Sequence, residues 1–158
     1  MSDLAFLNDF PSDPISGYNV LQKTFVHELS HAFDGGTISN DFLELTGWEQ
    51  HEGRWSLKGV DMDKVRSTYA EIKKLAWEGL NENKTEKIVA ALKLNRDFGM
   101  ANGFPTTYAM ITLSECFAEV ASHFLVDPIY STYMNQEVVL WFKEHFFPKI
   151  STSAKQNK

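Results

Sequence analysis

The chain has 158 residues, 43% of them apolar and 13% aromatic, enough to bury the core of one globular domain. Its formal net charge of −6 argues against a phosphate-binding surface, and no nucleic-acid partner is expected. The single cysteine, Cys116, excludes an internal disulfide and fits a reducing compartment, and no apolar run approaches a membrane span, so no membrane partner is expected.

Residues 1–13 read as an irregular lead-in with turn chemistry at Pro11-Ser12-Asp13-Pro14, where Asp13 is a candidate N-cap and Pro14 a first helical residue. They lack a basic segment followed by an apolar core, so the cytoplasm is the default location, with signal-independent export as the other route. From about Tyr18 to Phe33 the pattern is helical, and Gly35-Gly36 ends it. Leu21, Phe25, Ala32 and Phe33, with Leu29 beside them, form one apolar stripe. His27 lies two residues from both Phe25 and Leu29, roughly 200° around the helix at about 100° per residue. The stripe is therefore expected in the core, with Thr24, His27, His31 and Asp34 facing away from it.

Residues 42–59, FLELTGWEQHEGRWSLKG, read as a β-hairpin turning at Gln50-His51-Glu52-Gly53. A second helix covers about 62–80, with Val65, Tyr69, Ile72, Leu75 and Ala76 on one side, and Asn81-Glu82-Asn83 breaks it. A third runs from about 85 to 97, capped by Thr85, with Ile88, Val89, Leu92 and Leu94 inside. Residues 98–111, FGMANGFPTTYAMI, read as a loop. A fourth helix spans about 113–126 and stops before Asp127-Pro128, and a fifth spans about 129–146, ending at Pro148. The tail at 151–158 is polar and expected to be disordered. The whole is read as a single domain over 1–150: mainly α, with about five helices and a short hairpin.

The first helix carries His27-Glu28-Leu29-Ser30-His31, an H-E-x-x-H motif. Histidines four apart share a helix face one turn apart, so two imidazoles can grip one metal ion while the glutamate between them reaches a water. A hydrolytic zinc site needs a third protein ligand. The spacing H-E-x-x-H-x-x-G-x-x-H fails, because Asp34 and Thr37 occupy its last two positions. Asp34 lies on the histidine face and is read as an outer contact before a ligand. The better candidate is Glu115 in SECFAEVASHFL, where Glu115, Glu119 and His123 recur every four residues. Glu119 would then accept a hydrogen bond from the ring N–H of a ligating histidine, and it is the fallback ligand. Glu115 has a rival explanation as the acid of a capping box with Thr112. A di-metal site on Glu115, Glu119 and His123 fits poorly, because such sites use Glu-x-x-His spacing. His123 and His51 are read as surface histidines, Cys116 as a small packed side chain, and Trp48 and Trp55 as core or hairpin-face residues.

VHELSHAFD followed by GFPTTYAMITLSECFAEV resembles the gluzincin peptidases related to the lethal factor catalytic domain and the Mlc titration factor A peptidases. The resemblance spans about residues 18–150, with its motifs confined to 25–36 and 103–125. That family carries H-E-x-x-H-x-x-D and, later, Y-x6-E-x-F-A with the glutamate as third zinc ligand. Tyr108, seven residues before Glu115, and Glu115-Cys116-Phe117-Ala118 fit the second pattern, and the family's second acid maps to Glu119. The resemblance implies a zincin-like fold, one Zn2+ per chain on His27, His31 and Glu115, and a peptide or protein substrate. Glu28 would be the general base of a zinc metallopeptidase, and Tyr108 would donate a hydrogen bond to the developing oxyanion. One departure stands out: these enzymes place a β-sheet before the active-site helix, and too little sequence precedes His27 here. The chain is then a pared-down domain, a piece of a longer peptidase, or one whose hairpin, upstream domain or partner supplies the substrate-binding strand. The alternative function is a non-catalytic, zinc-stabilised protein-binding module.

Overall fold

A computed structural model describes Gly17, residues 19–37 and residues 39–145, with backbone alone at 33–37. The expectations at Asp13 and Pro14, at Pro148 and for the tail lie outside the described residues, as does the Asp34 side chain. The described chain is mainly helical, with α1 Val20–Thr37, α2 Asn40–Thr46, β1 Trp48–His51, β2 Arg54–Leu57, α3 Met62–Asn81, α4 Thr85–Ala101, α5 Leu113–Val126 and α6 Gln136–His145. Short 3-10 turns stand at Tyr108–Met110 and Tyr130–Thr132. Among the described residues no helix is long and apolar enough to cross a membrane.

Helix α5 is the centre of the molecule. Every residue from Cys116 to Phe124 is buried. A helix buried on all sides cannot keep its polar side chains in water, so Glu119, Ser122 and His123 must find partners inside the protein. On one flank lies an aromatic cluster from α2, α5 and α6. Phe42 meets the rings of Phe117, Trp141 and Phe142 at 5.2–5.9 Å between centroids, and Phe142 also stacks on Phe124. Such edge and offset contacts add to the area these large side chains bury. On another flank α1 packs along α5, while α3 and α4 pair with each other.

Six helices form among the described residues rather than about five, because residues 42–46 are helical and only 48–57 pair as a hairpin. Ser39 accepts a hydrogen bond from the Phe42 backbone N–H at 3.3 Å and Gly47, with φ 76°, closes the helix in the left-handed region. In the apolar run Phe42-Leu43-Leu45, Phe42 is thus buried on a helix with Leu43 and Leu45 half-buried beside it, and a short apolar run does not distinguish helix from strand. The hairpin is in register with Trp48 opposite Leu57 and His51 opposite Arg54. Its loop is Glu52-Gly53, both at positive φ, one residue later than expected and suited to the right-handed strand twist.

Three other boundaries move. α1 continues through Gly35-Gly36 to Thr37, since glycine in a helix costs only about 1 kcal/mol. α4 begins after Lys84, not Thr85, with no side-chain cap, and runs four residues past 97 into the expected loop. The last helical stretch is split. Asp127 Oδ1 accepts from the Ile129 N–H, and Asn135 Oδ1 accepts from the Glu137 N–H at 2.9 Å, so α6 starts afresh at Gln136.

The orientation of α1 is the reverse of the expected one. Within its apolar stripe, Phe25 is 66% exposed and Leu29 48%. Its histidine face is buried, with His27 only 6% exposed and Ser30 2%. The cause is the surface presented by α5. Glu115 and Glu119 face α1, and buried carboxylates are matched by imidazole and ammonium groups rather than by phenylalanine and leucine.

Candidate metal centre

The turn spacing of α1 and α5 sets the geometry. His27 and His31 stand one turn apart on α1, and Glu115 and Glu119 one turn apart on α5, so two rungs meet across the interface. His27 Nε2, His31 Nε2 and Glu115 Oε2 form a triangle with sides of 3.2, 3.1 and 3.4 Å. A tetrahedral zinc with bonds of about 2.0–2.1 Å separates its ligand atoms by about 3.3–3.4 Å, so the triangle has the size of one tetrahedral face. The buried Glu115 Oε2 makes no hydrogen bond, and a carboxylate oxygen left so beside two imidazole nitrogens suits a cation. These residues fit zinc, and among the described residues no other group of three histidine, cysteine or acidic side chains converges in this way.

The outer atoms of both rings are held. His31 Nδ1 lies 3.1 Å from Ser114 Oγ, and His27 Nδ1 lies 2.9 Å from Glu119 Oε1, a close ionic approach without ideal hydrogen-bond alignment. Each ring thereby keeps its Nε2 for the triangle. Thr112, the N-cap of α5, accepts from the Glu115 N–H at 3.2 Å. Only the Thr112 half of the rival capping box forms, and the Glu115 carboxylate turns to the histidines.

Glu119 is the most deeply engaged acid. Oε1 takes the Lys23 ammonium and His27, while Oε2 accepts from Thr106 Oγ1 at 2.6 Å and lies 3.6 Å from His123 Nε2. Burial alone would raise its carboxyl. The charge of Lys23 and the close approach of the His123 and His27 rings overcome that and hold it well below the usual carboxylate range.

His123 is 2% exposed, not a surface residue. Its Nδ1 lies 3.2 Å from Asp127 Oδ2 and 3.0 Å from the Tyr133 hydroxyl, and the Tyr133 hydroxyl donates to Asp127 at 2.6 Å. Burial pushes the Asp127 carboxyl up, and hydrogen bonds from His123, Tyr133 and the Ile129 N–H more than reverse the push. His51 is exposed, Trp48 is buried in the core and Trp55 is partly exposed. Cys116 is buried and burial drives its thiol up to about 12.

Tyr108 sits over the site. Its ring stacks on His27 at 5.8 Å between centroids and on Tyr69 of α3 at 5.5 Å. Burial, then a hydrogen bond to Glu115 and the charge on that carboxylate, raise the phenol above its ordinary value, so it remains an O–H donor at neutral pH. Glu28 is exposed and lines a cleft of about 200 Å³ together with Lys23, Thr24, His27, Tyr108 and Glu119.

The loop that carries Tyr108 is fixed by α4. Thr107 N–H donates to the Asn95 carbonyl at 2.7 Å and Tyr108 N–H to Asn95 Oδ1 at 3.3 Å. Gly99 lets the chain lie against the helix, since a Cβ there would come within 2.3 Å of the Thr106 carbonyl carbon. Lys23, Tyr69, Asn95, Thr106 and Ser114 are site residues that sequence reading missed. Lys23 alone carried a signal, four residues before His27 on the same face. No protein-family model matches the chain, and neither curated proteins nor solved structures return a match.

Proposed function

We propose that the protein is a zinc-dependent peptidase. The observation that carries this reading is the triangle of His27 Nε2, His31 Nε2 and Glu115 Oε2, with the Glu28 carboxylate in the adjoining cleft. Zinc held there would polarise a peptide carbonyl and lower the pKa of a water to about 7. Glu28 takes the proton of the attacking water and delivers it to the leaving amine. Tyr108 donates its O–H to the carbonyl oxygen as negative charge builds. Glu119 and Ser114 orient the two imidazoles, and burial of His27 keeps bulk water off one side of the site. The substrate is a peptide or an extended protein segment, and the free, buried Cys116 fits a cytoplasmic setting.

The exposed Phe25 and Leu29 favour a second reading, a zinc-stabilised module that binds another protein without cleaving it. Metal content tests the site that both readings share, and cleavage separates them. Purified protein should hold one zinc per chain, and H27A and E115A should hold little. E28Q should keep the metal and lose cleavage of an unfolded protein substrate. Zinc without cleavage by the wild type would favour the binding module, and equal cleavage by wild type and E28Q would remove Glu28 from its role.

A further inference from the structure

A carboxylate buried as deeply as Glu119 requires a balancing positive charge. Lys23 supplies that charge. Its ammonium and His27 Nδ1 meet on the same oxygen, Glu119 Oε1, and its side chain is only 17% exposed. Lys23 and His27 are one turn apart on α1, so both reach across to α5 from one helix face. The opposite oxygen is occupied by Thr106 and His123, which leaves Glu119 no open position toward the triangle.

A dication bound to His27 Nε2 would stand on the far side of the same imidazole. It would draw on Glu119 through the ring, and Lys23 would then be a like charge close to it. We propose that Lys23 sets the zinc affinity of the site: it holds Glu119 against His27 while the metal is absent and opposes the metal once bound. This inference rests on the zinc reading given above. The result is a site whose hold on the metal is moderated by a neighbouring ammonium.

The test is zinc affinity by competition with a chelator at neutral pH, with no substrate involved. K23M keeps the length of the side chain and removes the charge, and K23R keeps the charge. K23M should bind zinc about tenfold more tightly or better, with K23R near wild type. Damage to the fold weakens binding, so a gain cannot come from a merely structural role. Metal-free K23M should also unfold more easily than wild type, and zinc should restore it. If metal-free K23M does not fold, K23M/E119Q compared with E119Q reads the same effect without stranding a buried carboxylate, and the double variant should bind more tightly. Unchanged or weaker zinc binding in the comparison overturns the role of Lys23 and leaves the zinc site standing. A wild type that takes up no zinc overturns both.

Discussion

Replacing Gly99 by alanine tests how the loop over the site is held. The added Cβ would meet the Thr106 carbonyl carbon at 2.3 Å, its Cα at 2.5 Å and its oxygen at 2.7 Å. Ordinary contact begins near 3.4 Å, so the loop must retreat by about 1 Å, and all three atoms are backbone with no flexible end to swing aside. Overpacking of this kind costs about 1–3 kcal/mol, and the upper end applies. Alanine returns about 1 kcal/mol of helix propensity, leaving a net loss of about 2 kcal/mol. For a domain of this size that lowers the melting temperature by about 4–8 °C. Urea denaturation of the metal-free protein measures the loss directly. Thr106 also donates to Glu119, and Tyr108 stacks on His27, so G99A should weaken zinc binding as well. A stability within about 0.3 kcal/mol of wild type would refute the close approach of loop and helix.

The other predictions concern the elements around the site. T112A removes the N-cap of α5 and should cost about 1 kcal/mol in denaturant titrations, because the Glu115 N–H loses its acceptor. The Cys116 thiol, pushed up to about 12 and buried, should resist a thiol reagent in the native protein and react at once in denaturant; fast native labelling would contradict its placement. Glu119 and Asp127 are held below their usual carboxyl values in the folded state. Their contribution to stability is therefore complete above their unfolded pKa values and is lost as pH falls through the lowered folded ones. Metal-free protein should accordingly lose stability steeply below about pH 4, and E119Q should show a shallower acid limb. An identical limb in both would mean that Glu119 is not held low.

Much of the site was legible because its spacing is short-range. His27, Glu28 and His31 lie within five residues, and Glu115 and Glu119 within five more, so helical periodicity alone groups them. The same holds for α3 and α5, whose expected bounds of about 62–80 and 113–126 lie within a residue of those found. What escaped depends on partners distant in the chain. Periodicity divides α1 into two faces but does not say which is buried; that is decided by the acids of α5, which attract Lys23 and His27 inward and leave Phe25 and Leu29 outside. His123 read as a surface residue for the same reason, since its partners Asp127 and Tyr133 matter only once α5 is enclosed. Residues 42–46 read as strand because their apolar run fits either period, and the decisive contact, Ser39 to Phe42, is a cap lying before the run. Asn95 and Gly99 serve a loop that begins after them, and no pattern in α4 announces it.

Because α5 is enclosed from Cys116 to Phe124, the nine residues that build the core also carry Glu119 and His123, the buried partners of the candidate site. Selection acting on the core cannot leave those partners untouched there. Under the peptidase reading proposed above, new specificities would arise at the margins, from the exposed turn of α1 at Thr24 and Glu28 and from the Thr106–Tyr108 loop, while the enclosed helix stays frozen. In variant surveys, α5 should tolerate few changes of any kind, and a loss seen there speaks first of folding.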